Sequence, residues 1–363
     1  MKSFIHFTAG ILLFGAINFS AKATFTNLYV FGDGLSTTTN NSTTGPLYYG
    51  KRYSNGRVWV EVLAQRQGLT YNSNQNWSYF GNTCTTMVAS VSSFTAPAGA
   101  SNALFVIWVN CADLYYPALS TSTDMSMWTN AINQSQTYHF KAITNLYAKG
   151  ARTLIMPNAV DISTIPAFNT FADNTNFIHL RCLDYNIAFA KTLNRARTNS
   201  NYPGLTIYMP DFYAQLTNML AHAANYGLTN ALGDGLSIAA IYATNYNLPK
   251  TYTNGFGTNF IFWDQQDPTA MVHAWMANTA QQLISPVQIS QITVLNGSNR
   301  LVMANVPIGQ YGQVLGRTNL LLGNWTTNVN NINTTNTTQT VYVTNSGPQR
   351  FYRLKFLYSW TWP

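Results

Sequence analysis

At 363 residues, with 46% hydrophobic and 14% aromatic side chains, the chain has enough apolar material for a sizeable core, which excludes global disorder. Only 8% of its residues are charged, against about 25% in an average soluble protein, and Asn and Thr take their place. The net charge of +8 reflects scarce acids rather than blocks of Lys or Arg, so nucleic acid is not an expected partner.

In chain order, the first element reads as an export signal. Lys2 is a short basic start, "FIHFTAGILLFGAIN" is apolar, and Ala21-Lys22-Ala23 is a small-x-small cleavage site. The apolar run is short for a bilayer span of about 20 residues. Residues 1–23 are therefore expected to be removed, leaving a secreted, cell-surface or periplasmic protein with no stable membrane span. Residues 24–285 alternate strand candidates ("NLYVF", "ALFVIWV", "RTLIMPNAV", "LTIYM") with segments of helical apolar spacing ("WVEVLAQRQGL", "MWTNAINQSQTYHFKAITNLYAKG", "IHLRCLDYNIAFAKTLNRAR", "DFYAQLTNMLAHAANYGL"). Such alternation predicts βαβ units and a parallel sheet covered on both faces, with any ligand at the carboxyl ends of the strands.

From residue 286 to 363 the pattern changes to alternating apolar and polar residues broken by Asn-Gly and Gly-Pro, which predicts a small all-β sandwich. Within it, the Asn/Thr tract from Asn328 to Thr340 reads equally as a flexible loop. The three cysteines, Cys84, Cys111 and Cys182, are too few for a disulfide scaffold and wrongly spaced for zinc. No cofactor and no metal site is expected.

The stretch that carries chemistry is "VFGDGLS", Val30 to Ser36, a strand running into a glycine-rich turn. It is followed in order by "YGKRYSNGRVWVEVLAQRQGL", "NWSYFGNTCTT", "LFVIWVNCADLY", "MPNAVDISTIPAF" and "FIFWDQQDPTAMVHAWMA". Together, from about Phe25 to Ala280, these segments resemble the successive blocks of the SGNH, or GDSL, hydrolases. The resemblance implies a three-layer α/β/α, flavodoxin-like domain and a lipase or esterase ancestry. In that family a serine attacks the ester carbonyl and a histidine takes its proton. An aspartate three residues before the histidine orients the imidazole, and backbone N–H groups with an asparagine side chain hold the oxyanion.

Matched position by position, most of this machinery is replaced. Gly34 stands where the serine belongs, Ala112 where the asparagine belongs, and Asp267 where the histidine belongs. The oxyanion glycine, Gly81, and the orienting aspartate, Asp264, remain. An aspartate is a weak base at neutral pH, and position 34 offers no hydroxyl to deprotonate. Three functions follow as expectations. The first is a catalytically degenerate hydrolase-like protein that binds a small ester, lipid or glycan in the cleft. The second is an active ester hydrolase using relocated residues, with Ser36 as nucleophile and His273 as base. The third is a surface structural or adhesion protein. His139, His179 and His222 read as structural, and Cys182 as core. Asp33, Asp113, Asp264 and Asp267 should lie near the strand-end rim. Inherited, hydrogen-bonded aspartates are the favoured reading over a Ca²⁺ cluster, which wants six to eight oxygens. Cys84 and Cys111 fall in neighbouring blocks and read either as a disulfide closing part of the cleft or as two buried thiols.

Overall fold

The computed structural model describes residues 25–41, 48–169, 172–229, 233, 235, 257–344 and 350–357; the expected export signal lies outside them. Four short parallel strands, β1 (Leu28–Gly32), β2 (Leu104–Trp108), β3 (Thr153–Ile155) and β4 (Thr206–Tyr208), pair in the order β1-β2-β3-β4. Every residue of β1 and β2 is buried, as expected for strands covered on both faces.

The period of two in these strands sorts aromatic residues onto opposite faces. Tyr29 and Phe31 of β1 and Phe105 of β2 join Trp77 and Phe94 in one cluster, with Phe31 and Trp77 stacked at a centroid distance of 5.0 Å. On the other face Trp108 meets Trp59 and Phe212 edge to face, at 5.7 Å and 5.1 Å. Trp59 opens helix α1 (Trp59–Arg66) and Phe212 opens α6 (Phe212–Ala221), so aromatic packing fixes both helices against one face.

The strand pattern overestimates β3. Only three residues of "RTLIMPNAV" are strand, because Pro157 has no N–H for a ladder. Asn158 then turns away, its side chain accepting from the Tyr213 N–H and donating to Asp211. Similarly, the helix over "DFYAQLTNMLAHAANYGL" stops at Ala221, and a short 3₁₀ turn (Ala223–Tyr226) completes it.

A buried polar network joins four more helices: α2 (Cys84–Ser93), α3 (Asn110–Leu119), α4 (Met125–Ala148) and α5 (Ala172–Arg197). Asp113 of α3 accepts from the Cys84 N–H at 2.8 Å, at the start of α2, and from the Ser135 hydroxyl of α4 at 2.6 Å. Ser135 also contacts Tyr185 of α5 at 2.7 Å. His139, one turn further along α4, packs in the same network. Burial pushes its pKa down, against the pull of Asp113, which accords with a structural histidine.

Helix α7 (Ala270–Ile284) ends the α/β part, and β5 (Gln288–Leu295) begins the all-β part. Strands β5, β6 (Ser298–Ala304) and β9 (Thr338–Thr344) form one antiparallel sheet. Strands β10 (Phe351–Leu357), β7 (Tyr311–Arg317) and β8 (Thr326–Asn333) form the other. Leu301, Met303, Val314, Ile332 and Val343, drawn from both sheets, share one core, so the two sheets pack face to face. The Asn328–Thr340 tract is not the flexible loop that its composition also allowed. It supplies most of β8 and the start of β9. The Gln281 side chain donates to the Asn305 carbonyl at 3.0 Å, docking the β part on α7, and Ser285 donates to Gln67 at 3.1 Å, tying the end of α7 to that of α1. Among the described residues, no helix is long and apolar enough to cross a membrane.

Asp113→Ala strands the Cys84 N–H and removes the partner of a buried hydroxyl. It should cost about 2–4 kcal/mol in urea unfolding with the m-value unchanged; a loss under about 0.5 kcal/mol would show that the network is not structural.

Candidate functional site

The loops leaving the carboxyl ends of the strands surround a cavity with about 720 Å³ of empty space, its open mouth included. Gly34, Gly81, Ala112 and Asp267, all singled out by the sequence, line it together with Asp33.

The first wall is the turn after β1. Gly32 must be glycine because a Cβ there would lie 2.7 Å from the Ser36 Cβ and 2.8 Å from the Ser78 Oγ. Asp33 then caps a single 3₁₀ turn, Gly34–Ser36, by accepting from the Leu35 N–H at 3.0 Å. Its own N–H donates to the Trp108 carbonyl at the end of β2, which ties the turn to the next block. Asp33 is buried, and burial, together with the nearby Asp113, lifts its pKa to about 7 despite backbone donors at Leu35 and Ala112. At Gly34 a Cβ would meet Phe80 at 3.3 Å and Tyr53 at 3.7 Å, so a side chain there needs only a small shift of an exposed ring.

Gly81 has a left-handed φ of +81°, and a Cβ there would sit 2.7 Å from the Tyr116 hydroxyl. Backbone conformation and space both demand glycine. Ala112 lies in the first turn of α3, beside Cys111 and one residue before the Asp113 hub.

The last wall is the turn before α7. One Asp264 oxygen accepts from the N–H groups of Gln266 (2.8 Å) and Asp267 (2.7 Å), and the other from the Tyr48 hydroxyl (2.8 Å). Asp264 therefore shapes the turn, and three residues on, where the resemblance places an imidazole, stands Asp267. The Asp267 carboxyl is buried, and burial, reinforced by Asp264 and then Asp33, raises its pKa well above the carboxylate range. A carboxyl that already holds its proton at neutral pH has no lone pair free to take another, so it cannot act there as the base.

Two residues of "RYSNG" hold this turn in place. Ser54 donates to the Pro268 carbonyl at 3.1 Å, and Asn55 accepts from the Ala270 N–H at 2.9 Å, which opens α7. The sequence shows that the motif exists but not what it grips. The rest of the cavity wall was also missed: Ile162 and Ile165 from the loop after β3, Leu216 from α6, and Val272 and Met276 from α7. Such residues at helical spacing read only as core.

Ser36 and His273 stand apart from the cavity lining. The Ser36 hydroxyl is buried and accepts from the Trp59 indole N–H at 3.0 Å. His273 is fully buried on α7, both ring nitrogens lack a hydrogen-bond partner, and burial pushes its pKa down to about 3. No hydrogen bond links the two residues. Cys84, Cys111 and Cys182 are all buried free thiols, so of the two readings for Cys84 and Cys111 the unpaired one holds in the structure. Burial raises the pKa of Cys111, which lines the cavity, and a thiol in that state is a poor nucleophile. Among the described residues lining the cavity there is no serine, threonine, histidine, lysine or arginine. Asp33, Asp113 and Asp264 all accept from backbone N–H groups, and among the described residues no group of three or more His, Cys, Asp or Glu side chains is arranged to hold a metal ion.

A parallel sheet sandwiched between helices, with a cavity built from the loops at its carboxyl edge, defines the protein as an α/β domain. The family described as GDSL-like lipase/acylhydrolase matches residues 28–280, and the chain belongs to it. Among curated proteins, one GDSL esterase/lipase of Arabidopsis thaliana is 21% identical over 354 residues, covering 78% of this chain and 97% of the relative. A second from the same plant is 28% identical over 144 residues, covering 38% of this chain and 40% of its own. Among solved structures, the lipase Lip_vut3 from a goat rumen metagenome covers 72% of this chain and 98% of its own, at 10% identity and a TM-score of 0.43.

Two outcomes test this account of the site. Ser36→Ala leaves the Trp59 N–H buried without its acceptor and should cost about 1–3 kcal/mol in urea unfolding. For Asp267, the unfolded carboxyl ionises near the ordinary value of about 4, whereas the folded one keeps its proton. Its contribution to stability is therefore full below about pH 4 and is lost as pH rises through the folded value. Asp267→Asn removes that loss. Its stability relative to the parent chain should rise as pH increases above about 4 in thermal unfolding, and a flat difference would mean that the carboxyl ionises freely.

Proposed function

We propose that this chain is an exported member of the GDSL-like family that binds an amphiphilic ligand and does not hydrolyse it. The observation that carries the reading is the lining of the cavity. It begins at a glycine where the family's nucleophile would stand, and its described residues include no histidine, no cation and no serine or threonine hydroxyl. Nucleophile, base and one oxyanion donor act as a unit, and loss of even one costs orders of magnitude in rate.

The same lining argues for the ligand. Leu35, Phe80, Ile162, Ile165, Leu216 and Met276 suit an apolar chain better than a glycan. Asp33 and Asp267 favour a neutral head, such as an ester or amide carbonyl that accepts a hydrogen bond from a protonated carboxyl. They disfavour a carboxylate head through like-charge repulsion as Asp33 ionises. A hydrolase built on Ser36 and His273 fits less well, since each is packed for another purpose and a nucleophile must reach its base. Export rests on the segment from Lys2 to Ala23. Sequencing the N-terminus of the protein recovered outside the cytoplasm should then read from Thr24.

The mature protein, incubated with short-chain p-nitrophenyl esters, should show no turnover above buffer, and a serine-directed phosphonate probe should leave it unlabelled. Turnover that disappears on Ser36→Ala would overturn the reading. Gly34→Ser alone should fold, because the space at Gly34 is nearly sufficient, and should remain inactive for want of a base. Gly34→Ser, Ala112→Asn and Asp267→His combined should raise ester turnover by at least about tenfold over Gly34→Ser alone.

A further inference from the structure

The net charge of the chain is unevenly placed. Residues 24–285 hold twelve Lys and Arg against all eleven acids, so that part is nearly neutral. Residues 286–363 hold Arg300, Arg317, Arg350, Arg353 and Lys355 and no Asp, Glu or His. The β part is thus a wholly cationic module.

Its sheet of β10, β7 and β8 has two unlike faces. Tyr352, Leu354 and Phe356 of β10 pack inward on the core. Arg353 and Lys355 alternate with them and point outward, exposed. Arg353 pairs across the ladder with Leu315, and Phe351 with Arg317, so Arg317 falls on the same outer face. Trp325, just before β8, lies under both guanidinium groups, with Arg353 at 4.6 Å and Arg317 at 5.2 Å from its ring.

At the end of this face, the loop between β7 and β8 carries Leu320, Leu321 and Leu322, which are 55%, 91% and 71% exposed. This loop has defined internal bonding. Asn319 accepts from the N–H groups of Leu321 (2.8 Å) and Leu322 (3.2 Å), while Arg317 donates to the Asn319 and Leu322 carbonyls. Polar groups of the loop are bonded inward while three consecutive leucines are held out in water, an arrangement that costs free energy unless something apolar receives them.

We propose that the outer face of the β7–β8–β10 sheet docks on a lipid bilayer bearing anionic headgroups. Leu320, Leu321 and Leu322 enter the interfacial layer, Trp325 sits at headgroup level, and Arg317, Arg353 and Lys355 face lipid phosphates. Charge complementarity selects this occupant. A second copy of the chain would set one cationic face against another. A hydrated anionic polysaccharide would satisfy the arginines but leave the leucines in water. A few apolar side chains combined with a basic surface suffice for reversible attachment without a membrane span. The proposal does not depend on the ligand-binding reading of the cavity, which lies in the α/β part.

The test is co-sedimentation of the full mature chain with vesicles of phosphatidylcholine alone, or with about one-third phosphatidylglycerol, in low and high salt. The anionic vesicles should bind at least about tenfold more strongly, and binding should weaken as salt rises. Replacing Leu320, Leu321 and Leu322 together by Ser should reduce partitioning by at least about tenfold while leaving the thermal midpoint unchanged, since these side chains are exposed. Should the triple variant fold poorly, Leu321→Ser alone gives the readout, with a loss of about threefold expected. Arg353→Gln with Lys355→Gln should flatten the salt dependence. Failure of the parent chain to bind anionic vesicles would overturn the proposal. So would leucine variants that bind like the parent, or retention on an anionic polysaccharide without vesicle binding.

Discussion

The Asp113 carboxyl is the constraint on which the α/β part is assembled. It stands in the first turn of α3 and receives the first N–H of α2 and a hydroxyl of α4. Through Ser135 it reaches α5. Burial raises its pKa, a cost that its donors offset in part. Because the preceding residue is Ala112 and the α2 start follows Gly81, the same carboxyl sets the spacing between two walls of the cavity. Its loss would be felt in the fold and at the cavity together.

At the cavity a constrained backbone meets carboxyl groups bonded within their own turns. Gly81 is required by both φ and space. Asp264, whose family role is to orient an imidazole, has its described hydrogen bonds with a turn and a tyrosine. Asp267 adds a second carboxyl against it. Two acids in one buried turn cannot both ionise cheaply, and the result is a proton held on the buried Asp267 carboxyl.

Much of this was legible in the sequence, for identifiable reasons. The parallel sheet announced itself because strands buried on both faces are continuous apolar runs, as "LFVIW" is. Gly34, Ala112 and Asp267 were legible because their flanking residues still spell the blocks around them. Elements failed where a local signal was overruled: Pro157 cut β3 short, and pairing in the β part drew the Asn/Thr tract into strands despite its loop-like composition. The grip of Ser54 and Asn55 on the turn before α7 joins residues more than 200 positions apart, a separation at which composition and periodicity carry no information. The leucine loop was overlooked for the opposite reason. "NLLLGNW" reads as ordinary core until the structure leaves it in water.

The cationic β module has a consequence for the molecule as an electrical object. All eleven Asp and Glu side chains lie in residues 24–285, and the five Lys and Arg of residues 286–363 have no acid in their own module. Positive charge at that end is therefore uncompensated within the module, whereas cations and acids nearly balance in residues 24–285. The protein is a macroscopic dipole with its positive pole in the β part, and a negatively charged surface turns that end toward itself.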